Sequence, residues 1–354
     1  MKELTLALSL AVAAAVALPA QQAVPDIPFD GNVDFLKLPD SAYFGEVAGV
    51  AVNSKGHVFV FSRGGTVGPA FGAAAAQLFE FDNIGKFVRE IGKGMYSMSY
   101  AHSVRVDRDD NIWLVDKGSD MIVKLTPAGR VAMVFGRKQE ASDDAVPWTR
   151  PTPPRAHTDG QFRQPTDVTW DTQGNIFISD GYINSRVAKF TRDGDWVKSW
   201  GEKGTKDGEF DTPHSIASDA RGNIYVADRG NRRIQVFDPD GKHLRSISVD
   251  VPAPADAKPA IGNPPRPGVT GTQAPGAPWA LCITPGPNQT LFMSDAFPGR
   301  IYKLTLDGKV LGVLGSSGKR PKQFGWIHQI ACPSDHELYV AELLNWRVQK
   351  LTLK

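Results

Sequence analysis

Three of the seven histidines recur at one spacing. His102, His214 and His328 are separated by 112 and 114 residues. Each sits in a run of similar character: Tyr100-Ala101-His102-Ser103-Val104, Thr212-Pro213-His214-Ser215-Ile216 and Trp326-Ile327-His328-Gln329-Ile330. Neutral imidazole is a good zinc ligand, and three imidazoles with an open fourth position form a catalytic zinc arrangement. One such histidine alone would be read as packing, but three at near-constant spacing argue for a metal. The other four do not share the position. His57 and His336 fall in first hairpin turns, His243 in an outer turn and His157 in a loop, and all four are expected to be solvated.

The spacing points to what must position these residues. A seven-residue pattern of turn, aliphatic, aromatic and terminal acid appears at Asp110–Asp116, Gly174–Asp180 and Gly222–Asp228. Weaker copies run Gly56–Ser62, Gln289–Asp295 and His336–Glu342, so the mean period is 56 residues. The aromatics Phe59, Trp113, Phe177, Tyr225, Phe292 and Tyr339 occupy one site and are expected to pack between repeats. Each copy is followed by alternating strands around a Gly turn, as in Arg233-Ile234-Gln235-Val236-Phe237-Asp238-Pro239-Asp240-Gly241, a hairpin signal. Six units of four short antiparallel strands make an all-β, six-bladed β-propeller of NHL-type repeats. The sixth unit stops after its third strand, so an N-terminal strand must close the ring, with Val33–Leu38 as the natural donor. The histidines then occupy one position in alternate blades, roughly 120° apart around the channel. Ala48, Thr166 and Ala280 are the equivalents in blades one, three and five.

The residue after each terminal acid emerges on the same face: Arg63, Lys117, Gly181, Arg229, Ala296 and Leu343. Arg186, Arg233, Arg300 and Arg347 are a repeat feature and read as structural. Arg63 and Arg229 are not, and guanidinium is suited to bidentate carboxylate capture. Blade three carries one extra residue in Asp180-Gly181-Tyr182-Ile183-Asn184-Ser185-Arg186, which projects Tyr182 over the same face. A tyrosine beside a dication and arginines ionises below its ordinary pH of about 10 and can serve as a base.

Composition sets the outer bounds. Lys+Arg 40 against Asp+Glu 38 leaves a net charge of +2, without the basic stripe that a nucleic-acid partner requires. Two cysteines cannot form a thiolate zinc site or a disulfide framework. The 35 Gly and 26 Pro fit many turns between short strands. Residues 1–20 carry Lys2, an apolar run from Leu4 to Leu18 and then Pro19-Ala20, a signal-peptide pattern that is too short to span a bilayer. The expected organisation is a signal peptide (1–20), a linker (21–32) and one propeller (33–354) with long inter-blade loops at 141–160 and 251–278. The expected product is a secreted or periplasmic monomer with no membrane partner after signal removal.

These residues resemble a known family. From about Phe44 to the C-terminus the chain is similar to the peptidyl-α-hydroxyglycine α-amidating lyases, most closely over Val47–Gly64, Gln164–Arg186 and Phe210–Arg233. The resemblance implies a three-histidine zinc at His102, His214 and His328, with Arg63, Tyr182 and Arg229 as catalytic residues and the two arginines also binding substrate. It implies a small-molecule or peptide substrate, cleaved at a C–N bond to an amide and glyoxylate. Two departures stand out. Trp326 replaces a methionine in the substrate pocket, and Gln329 replaces an aspartate that helps to hold a structural calcium. Val50 and Val104 match the family's backbone calcium ligands, but the lost carboxylate argues against calcium. The family's disulfides are absent, and Cys282 and Cys332 lie in adjacent innermost strands at different levels, which disfavours a bridge. The rival reading is a non-catalytic NHL propeller that binds a peptide, glycan or protein. A calcium lactonase-type propeller ranks third, because His, Ala and Thr occupy its axial positions.

Overall fold

The computed structural model describes residues 24–64, 75–138, 152, 156–266 and 271–354. The signal-peptide segment and most of 141–160 lie outside them. The described strands form six four-stranded antiparallel sheets and one short parallel pair. The innermost strands of blades one to six are Val47–Val52, Ala101–Val106, Asp167–Trp170, Pro213–Ser218, Ala280–Ile283 and Ile327–Ala331. They touch in cyclic order, including blade six against blade one, so the ring is closed.

Local chemistry explains why each hairpin forms where it does. Asp107, Asp171 and Asp219 each accept backbone N–H groups two and four residues on, which fixes the first turn of blades two, three and four. The terminal acids are buried and work at the opposite face. Asp116 accepts from the backbone of Ser99 and Tyr100, Asp228 from Asp211, Asp295 from Gly276 and Glu342 from Gly325. In blade one Ser62 does the same for Gly45. Each acid therefore anchors the loop that leads into its own innermost strand. Arg186, Arg233 and Arg347 pair with the acids of their own blades. The repeat aromatics are no more than 2% exposed and pack between blades, as at Trp113 against Trp170 of the next sheet, 5.3 Å between centroids.

An N-terminal strand does close the ring, but it is Phe29–Asn32 rather than Val33–Leu38, and it lies inside the stretch read as a linker. Phe29 pairs with Leu353 and Asn32 with Lys350. Phe35, Leu36 and Leu38 instead pack between blades against Phe79, Phe81 and Tyr339. Their apolar side chains are worth more in that core than in an edge ladder. Residues 251–266 and 271–278 contain no strand.

Cys282 and Cys332 form a disulfide, contrary to expectation. Cys282 pairs with Phe292, and Ala331 with Tyr339, the equivalent aromatic, so the two cysteines are offset by a single residue. One residue of strand rise is small, and the Cα atoms lie 6.0 Å apart, within the range a disulfide spans. The bridge staples the innermost strands of blades five and six across 50 residues of sequence. Cys282→Ser with Cys332→Ser is expected to lower unfolding free energy by about 2–4 kcal/mol in chemical denaturation, while leaving the far-ultraviolet spectrum unchanged.

Candidate metal centre and its surroundings

Each histidine of the alternate-blade set stands at an irregularity in its ladder, between Ala101 and Ser103, between Pro213 and Ile216, and between Ile327 and Gln329. A bulge of this kind re-aims one side chain. The imidazoles turn into the channel, where they are 1%, 1% and 5% exposed. Their candidate ligand atoms all lie within 4.8 Å of one another, and this is the one cluster of its kind among the described residues.

The other three blades fix the rings. His102 Nδ1–H donates to the carbonyl of Thr166 at 2.6 Å, His214 Nδ1–H to that of Trp279 at 2.7 Å, and His328 Nδ1–H to that of Ala48 at 2.7 Å. A carbonyl only accepts, so the proton is on Nδ1 and each Nε2 lone pair faces the axis. Metal-binding histidines are held this way. The acceptors are the equivalents of the histidines in blades three, five and one. Blade five corrects the alignment: its first turn holds two extra residues, so the equivalent is Trp279 and not Ala280. Burial, with the charges of Lys117, Arg63 and Arg229 nearby, holds all three imidazoles well below the ordinary histidine range. They are neutral at pH 7, the form that binds a metal. Three inward lone pairs, buried in the channel, fit zinc.

Tyr182 closes the open side. Its hydroxyl lies 3.3 Å from His102 Nε2 and 3.1 Å from His214 Nε2. Burial pushes its pKa up, but the charges of Arg229, Lys117 and Arg63 and a hydrogen bond from Arg229 outweigh this and bring it below 10. Arg229 is buried, with its guanidinium 4.4 Å from the Trp279 centroid and 5.6 Å from that of Tyr182. Arg63 donates to the Ala101 carbonyl, pairs with Glu46 and stacks 3.9 Å over Tyr100. Trp326 packs on Trp279 with centroids 5.4 Å apart. The structure thus gathers every residue singled out for the site. It adds Lys117, whose ammonium lies 3.4 Å over the Tyr182 ring, and Trp279. Lys117 holds the same repeat position as Arg63 and Arg229, a signal that was visible and passed over. Of the histidines expected to be solvated, His57 is bonded to Glu80 and His157 to the Asn184 carbonyl.

One step further along the channel, the side chains form a second tier. Gln329 Oε1 accepts from the N–H groups of Val50 and Val104 at 3.0 and 3.1 Å, and its Nε2 donates to the Val104 carbonyl at 2.9 Å. Across the axis Arg105 grips Asp167 through two nitrogens, at 2.9 and 2.5 Å, and Ser215 donates to the same carboxylate. Calcium takes six to eight oxygen ligands. Here the one carboxylate is committed to a guanidinium and the Val104 carbonyl to an amide. The tier does not fit calcium. A Cβ at Gly49 would stand 2.7 Å from both Gln329 Oε1 and Val104 N, so glycine there makes room for the amide.

Known proteins share the repeat and the fold. An NHL repeat model matches residues 210–237. The chain is 30% identical over 223 residues to the peptidyl-glycine alpha-amidating monooxygenase of Mus musculus, a match covering 56% of this chain and 21% of the mouse protein. It is 31% identical over 170 residues to a probable peptidyl-alpha-hydroxyglycine alpha-amidating lyase of Caenorhabditis elegans, covering 44% of each. The chain thus spans about a fifth of the mouse protein and under half of the nematode one. The virginiamycin B lyase structure from Staphylococcus aureus superposes with a TM-score of 0.55 over 92% of this chain and 100% of that one, at 15% identity, a likeness of fold. The chain is thus similar in sequence to amidating lyases over about half its length, and the solved structures share its six-bladed propeller fold.

Gln329→Leu strands three buried backbone groups and is expected to cost roughly 3 kcal/mol or more in urea unfolding. A calcium-selective chelator should leave the melting temperature of the parent protein unchanged.

Proposed function

We propose that this homologue of the amidating lyases is a zinc-dependent carbon–nitrogen lyase. Its substrate is a peptidyl-α-hydroxyglycine or a similar carbinolamide bearing a carboxylate. The observation that carries the reading is the inward set of three Nε2 atoms with the Tyr182 hydroxyl directly above two of them. Zinc held there would supply Lewis acidity beside the substrate hydroxyl.

The chain's own residues account for the rest. Arg229, fixed between two aromatic rings, binds the carboxylate. Arg63 adds positive charge at the same side of the channel, where negative charge develops as the bond breaks. Tyr182 takes the proton of the substrate hydroxyl. The C–N bond breaks as the C–O bond becomes a carbonyl, so the carbon leaves as glyoxylate. The nitrogen takes up a proton and leaves as the amide. The ring faces of Trp279 and Trp326 border the site and strengthen each charged contact. Export is part of the proposal: the leader-like residues 1–20 support a periplasmic or secreted location, and the disulfide is in keeping with an oxidising compartment.

Tyr182→Phe keeps the ring and removes the proton acceptor. Its kcat for glyoxylate release from an α-hydroxyglycine compound is expected to fall about 10²–10⁴-fold with zinc content unchanged. Turnover by Tyr182→Phe at the parent rate would remove tyrosine from the mechanism.

A further inference from the structure

The mouth of the channel has two unlike sides. Two repeat positions line it: the residue after each terminal acid, and the residue two before each channel-ring position. In blades one to four the first position holds Arg63, Lys117, Gly181 and Arg229 and the second holds Glu46, Tyr100, Gln164 and Thr212, so charged and polar groups dominate there, with Tyr182 next to Gly181. Blades five and six place Ala296, Leu343 and Trp326 at the same positions. Ala296 and Leu343 are buried in one apolar cluster with Trp279, and the partly exposed Trp326 packs on that cluster from the solvent side. Trp279 is the seam, with Arg229 4.4 Å from its centroid on one side and Trp326 5.4 Å from it on the other. Its indole N–H donates to the Thr272 carbonyl, so it offers the site a ring face and no polar group. The loop that ends at Pro278 thereby holds the seam in place. Trp326 itself sits in left-handed backbone, φ 57°, as do Gln164 and Thr212 at the same repeat position. Blades three, four and six share the bend, and the tryptophan on it is particular to blade six.

Resting on the lyase reading above, we infer that the acyl group next to the scissile C–N bond is apolar, and that Trp326 and Leu343 select it. A substrate whose carboxylate sits at Arg229 and whose reacting carbon lies over the three imidazoles has blades five and six left for its other end. Among the described residues, Ala296, Leu343 and Trp326 offer that end of the substrate no charged group, and the Trp326 indole N–H is the one polar group among them. A polar group there would lose its water without compensation. The matching chemistry is a hydrophobic residue at the end of a peptide, or a simple aromatic or aliphatic acyl chain.

The test uses the full protein with zinc and three compounds: N-acetylphenylalanyl-α-hydroxyglycine, N-acetylaspartyl-α-hydroxyglycine and N-phenylacetyl-α-hydroxyglycine. The expected kcat/KM is about 10-fold or more higher for the phenylalanyl than for the aspartyl compound, the scale on which apolar pockets discriminate. The phenylacetyl compound separates the two sources, since parity with the phenylalanyl compound points to a simple acyl chain and a clear deficit to a peptide. Trp326→Ala should lose most of that preference, and the apolar Trp326→Met should retain it. Parent-like zinc content and melting temperature show that each variant is folded. Equal kcat/KM for the phenylalanyl and aspartyl compounds with the parent protein overturns the inference, as does an equal loss for both in folded Trp326→Ala. Absence of glyoxylate from all three compounds removes the lyase reading and this inference together, whereas glyoxylate released at equal rates removes only this one.

Discussion

The hydrogen bond from each imidazole Nδ1–H to the backbone of the next blade is the contact on which the centre depends. A histidine free to rotate in the channel could present either nitrogen, or protonate and turn away. Tied to the carbonyls of Thr166, Trp279 and Ala48, the three rings have one tautomer and one direction. The tie spans neighbouring blades, so the centre exists only when the ring is closed. The Phe29–Asn32 strand, the disulfide and the buried acids at the strand ends all serve that closure. Each acid also sets the height of the loop above its histidine. This makes the metal site a property of the whole propeller and not of one blade.

Charge is distributed along the axis in an order that suits this arrangement. The mouth gathers three cations around Tyr182. Below it come three neutral imidazoles, and below those an internal ion pair and an amide. The Arg105–Asp167 pair is buried, and its desolvation is offset by two-point contact and by further bonds to Ser215 and the Leu281 carbonyl. Gln329 joins blades six, one and two with three hydrogen bonds to main chain. Where the related family is expected to hold a second ion, this chain holds its strands together with side chains. Among the described residues, the place left for a divalent ion is the histidine tier.

Much of this was legible in the residues. The six-fold pattern of turn, aliphatic, aromatic and acid is local, and period-two strands report their own geometry. The alternation of His102, His214 and His328 with non-histidine positions was visible as spacing. The partners that fix them were not, because a backbone carbonyl carries no sequence signature. Trp279 was hidden by two extra residues in the blade-five turn, for which the expected Ala280 allowed only in part. Phe29–Asn32 was missed because Val33–Leu38 has the stronger apolar pattern, and that pattern belongs to a core contact. The disulfide was missed because a one-residue offset between strands looks larger in sequence than it is in space. Lys117 was in view, but its part became clear only from its place over the Tyr182 ring.

The most direct measurement is a zinc titration of metal-free protein with glyoxylate release followed at each addition. The structure predicts that activity rises in proportion to bound zinc and saturates at one ion per chain, and that His214→Ala neither binds the ion tightly nor turns over. Full turnover by the metal-free protein, or one tightly bound zinc in His214→Ala with activity intact, would contradict the account.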